Sequence, residues 1–194
     1  VYAAMMRALD RSVGQINDTL IEEGLADNTI VVFSSDNGGA GYIGLPGVNQ
    51  PFRGWKLTNF EGGLRVPMFV KWPKKVAPGT RVSNPVAHID LMPTLVAAAD
   101  AKIPQDVELD GVDILPLATG DEGAAWDRKT LFWQSGYYRV VRHEDWKLQI
   151  SDNPKKTWLF DLANDPTEQN NLATSEPEKL AKLQALLAEH KASA

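Results

Sequence analysis

Two adjacent residues with oxygen donors stand where a buried strand is predicted to end. Residues 34–39 read Ser-Ser-Asp-Asn-Gly-Gly and follow the β-branched run at 29–34. Ligand sites in open α/β sheets form beyond the carboxyl ends of the strands, and carboxylate and amide oxygens suit Ca²⁺ or Mg²⁺. Asp36 and Asn37 are therefore candidate metal ligands. The same letters also fit an ordinary Asp-Asn-Gly turn, and spacing alone gives the two interpretations equal weight.

A second segment could bind an anion. It begins Arg-Gly-Trp-Lys at residues 53–56 and continues Phe-Glu-Gly-Gly-Leu-Arg-Val-Pro at 60–67. Lys56 could direct its ammonium toward an anionic ester, Trp55 could line a substrate pocket, and Glu61 could pair with Arg65 and hold the loop's shape. Residue type alone favours a solvated lysine, because loop lysines are usually exposed.

Elements of an α/β fold surround these segments. Hydrophobic spacing of three and four predicts an amphipathic helix, and short apolar runs without alternation predict buried strands. In chain order the predicted elements are a helix over residues 2–23, strands over 29–34 and 66–72 with a long loop at 36–65 between them, and a third strand over 84–88. A further helix, capped by Asp90, is predicted to run to about residue 99.

The texture of the sequence changes after residue 117. The small and charged residues 118–129 mark a candidate boundary. Short strand-like runs at 131–134, 138–142, 146–150 and 158–161 then predict an antiparallel meander. A capping-box pattern of Ser175 and Glu178 precedes a closing amphipathic helix. The predicted fold is α/β, with residues 1–117 forming part of a mostly parallel sheet and residues 118–194 a small antiparallel sheet with a C-terminal helix.

Composition excludes several classes of protein. The 194 residues carry a net charge of −5 and no cysteine, so a nucleic-acid-binding face, a disulfide scaffold and a cysteine nucleophile within this chain are not expected. No apolar run approaches the length of a membrane span. The first residue is Val1, already at the start of a predicted helix, and we expect the chain to be a fragment of a larger protein.

Taken together, the segments resemble the sulfatase family, arylsulfatase-like members of the alkaline-phosphatase-like superfamily. Each segment alone is common, whereas their order and combination are specific. The matching segments are the helix 2–24 with its Ala-Leu-Asp-Arg-Ser-Val-Gly core, the turn and strand 25–35, the Asp-Asn-Gly loop, residues 53–67, His-Ile-Asp-Leu-Met-Pro-Thr-Leu at 88–95, Leu-Asp-Gly at 109–111, and D-L-x-x-D-P-x-E-x-x-N-L at 161–172.

The resemblance implies a role for three residues. Asp36 and Asn37 would be ligands of a divalent metal, usually Ca²⁺ in this family, and Lys56 would contact the sulfate group. The family nucleophile is a formylglycine made in a C/S-x-P-S/T-x-R segment, which is absent from these residues and expected upstream. One departure from the family pattern is Leu57, where the R-G-x-K segment normally continues with glycine.

The implied activity is hydrolysis of a sulfate ester by the parent protein, with a sulfated small molecule or glycan as substrate. The chain alone is expected to be inactive, to need the N-terminal half of the same protein and to be prone to self-association. Two alternatives stay open at this point: a phosphate or phosphonate monoester hydrolase of the same superfamily, and a non-catalytic remnant that binds a partner. The family suggests a periplasmic or secreted location, which the sequence itself does not specify.

Four residues with side-chain oxygens near the end of the meander could also be interpreted as metal ligands. Turn formation and capping explain them better, because they stand between the last predicted strand and the closing helix. These residues are Asp161, Asp165, Glu168 and Asn171.

Overall fold

The computed structural model describes residues 1–120 and 126–193, which divide into two compact units. The first unit comprises residues 1–33 and 69–126, and the second comprises residues 34–68 and 127–194. Residues 34–68 therefore pack with the C-terminal segment. The boundary at 117 stays a prediction, and residues 121–125 of the candidate boundary lie outside the described residues.

The first unit begins with the predicted amphipathic helix, α1, at Tyr2–Glu22. Strand β1 spans Val31–Ser34, and strand β2, Met68–Lys71, is its hydrogen-bonded neighbour in a two-stranded sheet. Both strands lie within the runs that the sequence predicted. The helices α3, Leu91–Ala98, and α4, Leu115–Thr119, complete this unit.

The predicted strand over residues 84–88 is wrong, since the described residues form no strand there and a 3-10 turn spans His88–Asp90. The Asp90 carboxylate is buried and accepts hydrogen bonds from the Ala87 amide at 2.7 Å and the Val112 amide at 3.1 Å. These bonds fold the segment into a turn. They also replace the predicted role of Asp90, whose side chain makes no capping bond to α3.

The second unit is built on a four-stranded antiparallel sheet with strand order β3-β4-β5-β6. The strands are β3 Thr130–Ser135, β4 Tyr138–His143, β5 Trp146–Asp152 and β6 Lys155–Asp161. Each contains one of the predicted strand-like runs or most of it. Among residues the sequence placed in a continuous loop, this unit also has a 3-10 turn at Gly41–Ile43 and a short helix, α2, at Glu61–Leu64.

One face of this sheet packs against the closing helix α5, Pro177–Ser193. The shared core consists of Val141, Leu148, Leu159, Leu183 and Leu187. The predicted capping box is not formed, because the helix begins two residues after Ser175, whose hydroxyl donates to the Leu172 carbonyl at 3.3 Å.

The other face of the sheet is polar and still largely buried. Successive side chains of a strand alternate between the two faces, so Lys147, Gln149 and Ser151 of β5 share the face opposite α5. All three are at most 1% exposed. Strand register places Trp158 opposite Gln149 and Lys156 opposite Ser151. Within the described residues, no helix has the length and apolar character needed to cross a membrane.

Candidate active site

Backbone hydrogen bonds join the loop of Asp36 to the loop of Lys56. The Gly38 amide donates to the Gly63 carbonyl at 2.9 Å, and the Lys56 amide donates to the Gly39 carbonyl at 3.1 Å. The Asn49 side chain reinforces this contact. Its Oδ1 accepts from the Gly39 amide at 2.7 Å and its Nδ2 donates to the carbonyls of Gly39 and Gly54 at 3.0 and 3.1 Å. The two segments singled out in the sequence therefore form one structure.

Two glycines make this approach possible. A Cβ on Gly38 would collide with the Gly62 carbonyl, and a Cβ on Gly63 would collide with the Thr58 carbonyl. A side chain at Gly38 would push the two loops apart, and a side chain at Gly63 would distort the loop of Lys56 itself. The Asp-Asn-Gly-Gly and Glu-Gly-Gly strings are thus needed for the close contact between backbones.

The Asp36 carboxylate and the Lys56 ammonium are available for a ligand. Asp36 is exposed and Lys56 is half-buried. Across residues 1–120 and 126–193, no side chain pairs with the Asp36 carboxylate or the Lys56 ammonium. The Asn37 carbonyl accepts from the Ser35 hydroxyl at 2.8 Å. Convergence of the Asp36 and Asn37 oxygens on one point stays a prediction.

A carboxylate beside an amide fits a hard cation such as Ca²⁺, which takes six to eight oxygen ligands. In the described part of the chain, no cluster of three or more histidine, cysteine, aspartate or glutamate side chains could hold a metal. Asp36 and Asn37 can accordingly provide only part of a coordination shell.

Leu57 follows Lys56 with a backbone that glycine normally adopts. Its φ is +77°, in the left-handed region that costs an ordinary residue about 1–2 kcal/mol. The backbone therefore retains the left-handed conformation at the position where the family pattern has glycine. The Leu57 side chain is 82% exposed, so burial of this side chain does not offset the strain.

A buried ionic cluster holds α2 against the polar face of the sheet. Lys147 Nζ lies 2.8 Å from Glu61 Oε1 and 2.9 Å from Glu168 Oε1, and the Glu61 amide donates to Glu168 Oε2 at 2.6 Å. The predicted pairing of Glu61 with Arg65 is wrong, because Lys147 takes the carboxylate. The Arg65 guanidinium instead lies over the Phe52 ring, 4.7 Å from its centroid.

Burial raises the pKa of Glu168 above its ordinary value, and the nearby Lys147 ammonium only partly opposes this shift. The Glu168 carbonyl also accepts a 2.9 Å hydrogen bond from Arg53, whose guanidinium lies 4.2 Å from the Phe60 ring centroid. Residue 168 thus fixes both ends of the segment that carries Lys56. This role is not visible in the sequence, where Glu168 is one of several acidic turn residues.

The other three residues of this set do serve the turn, as predicted. Asp161 accepts from the amides of Ala163 and Asn164, and Asn171 accepts from the Leu159 amide. For Asp165, burial acts to raise the pKa, but hydrogen bonds led by the backbone amides of Asn170 and Gln169 outweigh it, and the net pKa lies below the ordinary value.

A cavity of about 180 Å³ lies between the segment after Lys56 and the polar face of the sheet. Its lining includes Leu57, Asn59, Gln149, Lys156 and Trp158. The buried Gln149 Oε1 and the neighbouring Ser151 Oγ have no hydrogen-bond partner among the described residues. A buried polar atom left unsatisfied costs about 1–3 kcal/mol. The sequence does not predict that these two atoms are buried, because alternation of polar and apolar residues in a strand normally indicates that the polar face is solvated.

Two family models match the chain. The model described as Sulfatase matches residues 1–101. The model described as N-sulphoglucosamine sulphohydrolase, C-terminal, matches residues 54–193. Together they extend over both segments of the candidate site and over the C-terminal sheet.

Curated relatives of the chain are also named as sulfatases. Steryl-sulfatase of Mus musculus is 36% identical over 73% of this chain and 24% of its own length. Steryl-sulfatase of Homo sapiens is 34% identical over 88% of the chain and 30% of its own length. A sulfatase of Formosa agariphila is 34% identical over 91% of the chain and 36% of its own length. The chain therefore spans about a quarter to two fifths of the relatives it matches.

Solved structures are similar over almost the whole chain. The crystal structure of Ps i-CgsB in complex with k-i-k-neocarrahexaose has a TM-score of 0.85 and 32% identity, covering 97% of this chain and 42% of that one. The structure of BT4656 in complex with its substrate D-glucosamine-2-N,6-O-disulfate has a TM-score of 0.79 and 26% identity, covering 98% of this chain and 39% of that one.

Proposed function

Because the chain belongs to the sulfatase family, we propose that its parent protein hydrolyses sulfate esters and that this chain supplies Asp36, Asn37 and Lys56 to the active site. The observation that carries the proposal is the direct bonding of the two loops, in which the Lys56 amide donates to the Gly39 carbonyl three residues beyond Asp36. That bond holds the segment of Lys56 against the segment of Asp36 and Asn37, which supports a shared site.

In this proposal Lys56 binds the transferring group. Its ammonium has no partner among the described side chains, so it can donate hydrogen bonds to sulfate oxygens. A donor held in place before the reaction stabilises charge that develops in the transition state. The buried cluster at α2 and the Asn49 bonds keep the loop from rearranging as that charge forms.

In this proposal, Asp36 and Asn37 would hold a divalent metal, Ca²⁺, together with oxygen ligands from outside this chain. Bound there, the ion would supply positive charge to the sulfate oxygens. The nucleophile would be a formylglycine, also from a part of the protein outside these residues. On its own, the chain would then lack the group that attacks sulfur and most of the metal's ligands.

The substrate class in this proposal is a sulfated small molecule or glycan. The similar proteins are named for both kinds, steryl-sulfatases among the relatives and saccharide complexes among the structures. Sequence identities this low do not assign the substrate of a relative to this protein. The test should accordingly use both a small aryl sulfate and sulfated saccharides.

The test is hydrolysis of 4-nitrophenyl sulfate and of sulfated saccharides by the full-length protein, followed as release of 4-nitrophenol and of inorganic sulfate. Lys56→Ala should lower kcat/KM by about 100-fold or more, the range seen when one transition-state donor is removed. The matched control is Lys74→Ala, which removes an exposed lysine of the other compact unit. Absence of sulfate-ester hydrolysis in the wild type, or unchanged turnover in Lys56→Ala, would overturn the proposal.

A further inference from the structure

We propose that the cavity between residues 57–60 and the polar face of the sheet binds a saccharide unit of the substrate, one that carries hydroxyl groups and an anionic substituent. The inference rests on the proposed function in one respect, since the sulfate ester would belong to the same saccharide chain. It adds a binding site and a substrate class to that function.

Gln149 is a buried polar residue at the wall of the cavity. Its side chain lines the cavity and is 1% exposed, and its Oε1 has no donor among the described residues. Native proteins satisfy nearly all buried polar atoms, so this oxygen requires a donor that the described chain does not supply. The hydroxyl groups of a saccharide are donors of that kind.

The walls of the cavity match the rest of a sugar. Trp158 and Tyr138 provide aromatic surface, and the Asn59 amide provides both a donor and an acceptor. The volume of about 180 Å³ is several times the roughly 30 Å³ that one water molecule occupies in the liquid. A purely hydrocarbon ligand would leave the Gln149 oxygen unsatisfied, which favours a saccharide over a lipid ring system.

Lys156 adds the anionic preference. It lines the cavity, it is exposed, and its ammonium lies 5.9 Å from the Trp158 ring centroid. Arg53, the other cation in the lining, already donates to the Glu168 carbonyl. Of the two lining cations that the structure describes, Lys156 is therefore the one proposed to meet a sulfate or carboxylate on the saccharide.

Leu57 connects the cavity to the proposed sulfate site. It lines the cavity directly after Lys56 in the chain, with its side chain exposed and its backbone in the left-handed region. Strained residues of this kind cluster at ligand-binding sites. A saccharide held in the cavity would lie against the loop that presents Lys56, so that its ester could reach the ammonium.

The experiment measures binding, which does not require turnover. Full-length protein is titrated with neocarrahexaose and with a chondroitin sulfate hexasaccharide, and affinity is followed by calorimetry and tryptophan fluorescence. Wild type should bind at least one of the two, and Gln149→Leu should weaken that binding about tenfold or more, the loss of one good hydrogen bond in a buried site. Gln134→Leu, an exposed glutamine of the same sheet, is the control and should bind as wild type does.

Two further measurements distinguish binding in the cavity from turnover at the sulfate site. Lys156→Ala changes only an exposed side chain, so it should fold even if Gln149→Leu does not, and it should weaken binding several-fold with less effect on the desulfated saccharide. Turnover of 4-nitrophenyl sulfate should be unchanged in both variants. Failure of wild type to bind either hexasaccharide, or wild-type affinity in both variants, would overturn the cavity proposal. Absence of any sulfate-ester hydrolysis by wild type would instead count against the proposed function, with the binding data still deciding the cavity.

Discussion

Leu57 shows how a single residue can depart from a pattern without changing the path of the chain. Its φ of +77° is the conformation that glycine adopts freely. A leucine there costs about 1–2 kcal/mol, yet the Lys56 amide still reaches the Gly39 carbonyl. The surrounding contacts, led by the Asn49 bonds and the buried α2 cluster, are strong enough to impose the conformation.

Two substitutions of Leu57 should have different effects on the free energy of unfolding. Leu57→Gly should leave stability unchanged or raise it by up to about 1 kcal/mol, because relief of strain is partly offset by the entropy that glycine loses on folding. Leu57→Val should destabilise by about 1 kcal/mol or more, because β-branched residues strongly disfavour positive φ. Urea unfolding of the full-length variants measures both. Greater stability of the valine variant than of the glycine variant would contradict the structure.

At the scale of elements, the sequence predicts most of the fold because hydrophobic patterning is strong there. The run around Val31 and the runs of the meander carry apolar or aromatic residues that must be buried. The strand expected over residues 84–88 failed because the Asp90 carboxylate holds two backbone amides in a turn. No hydrophobic pattern records a bond of that kind, which depends on Val112 far along the chain.

The shared role of the three candidate site residues stays a prediction. The positions of Asp36, Asn37 and Lys56 followed from motif and resemblance, and the bonding of their loops is consistent with a shared site. The roles of Lys147 and Gln149 were missed, because alternation of polar and apolar residues in β5 resembles a strand with one wet face. Residues 53–61 cover that face, and the covering segment comes from nearly a hundred residues earlier.

Glu168 gives this cluster a measurable pH dependence. Burial raises its pKa above the reference value of 4.5, so the protonated form is favoured by folding. The stability contributed by this group is fully present below pH 4.5 and is lost as pH rises through the raised pKa. Glu168→Gln removes the titration, and the free energy of unfolding of wild type should therefore fall relative to this variant as pH increases above 4.5.

The measurement is urea unfolding of both proteins at a series of pH values from about 4 to 8. Glu189→Gln, at an exposed position of α5, is the control and should follow wild type. If wild type instead gained stability relative to Glu168→Gln over this range, the Lys147 ammonium would be outweighing the effect of burial, and the account of the cluster would be wrong.

At the scale of the whole molecule, α1 presents an apolar surface without cover in the described chain. Met5, Leu9 and Ile16 are 63%, 45% and 56% exposed, although their spacing is that of a buried face. Patches of this kind mark interaction surfaces. Since the chain spans only part of its relatives, other regions of the parent protein are the proposed cover.

The isolated chain should therefore self-associate and should not hydrolyse 4-nitrophenyl sulfate at any Ca²⁺ concentration. Sedimentation at tens of micromolar should show oligomers, and the double change Met5→Glu and Leu9→Glu should shift them toward monomer. Lys102→Glu, which alters charge at an exposed position away from α1, is the control. A monomeric wild-type chain, or metal-dependent turnover by the chain alone after removal of host sulfatases, would contradict this prediction.

The most direct test of the shared site is a crystal structure of the full-length protein with Ca²⁺ and sulfate bound. We expect one metal ion contacted by side-chain oxygens of Asp36 and Asn37 at about 2.3–2.6 Å. We also expect a sulfate with one oxygen within about 2.7–3.2 Å of Lys56 Nζ and another oxygen facing the metal. A metal bound away from Asp36, or a sulfate at the metal with Lys56 turned to solvent, would contradict the claim that these residues form one sulfate site.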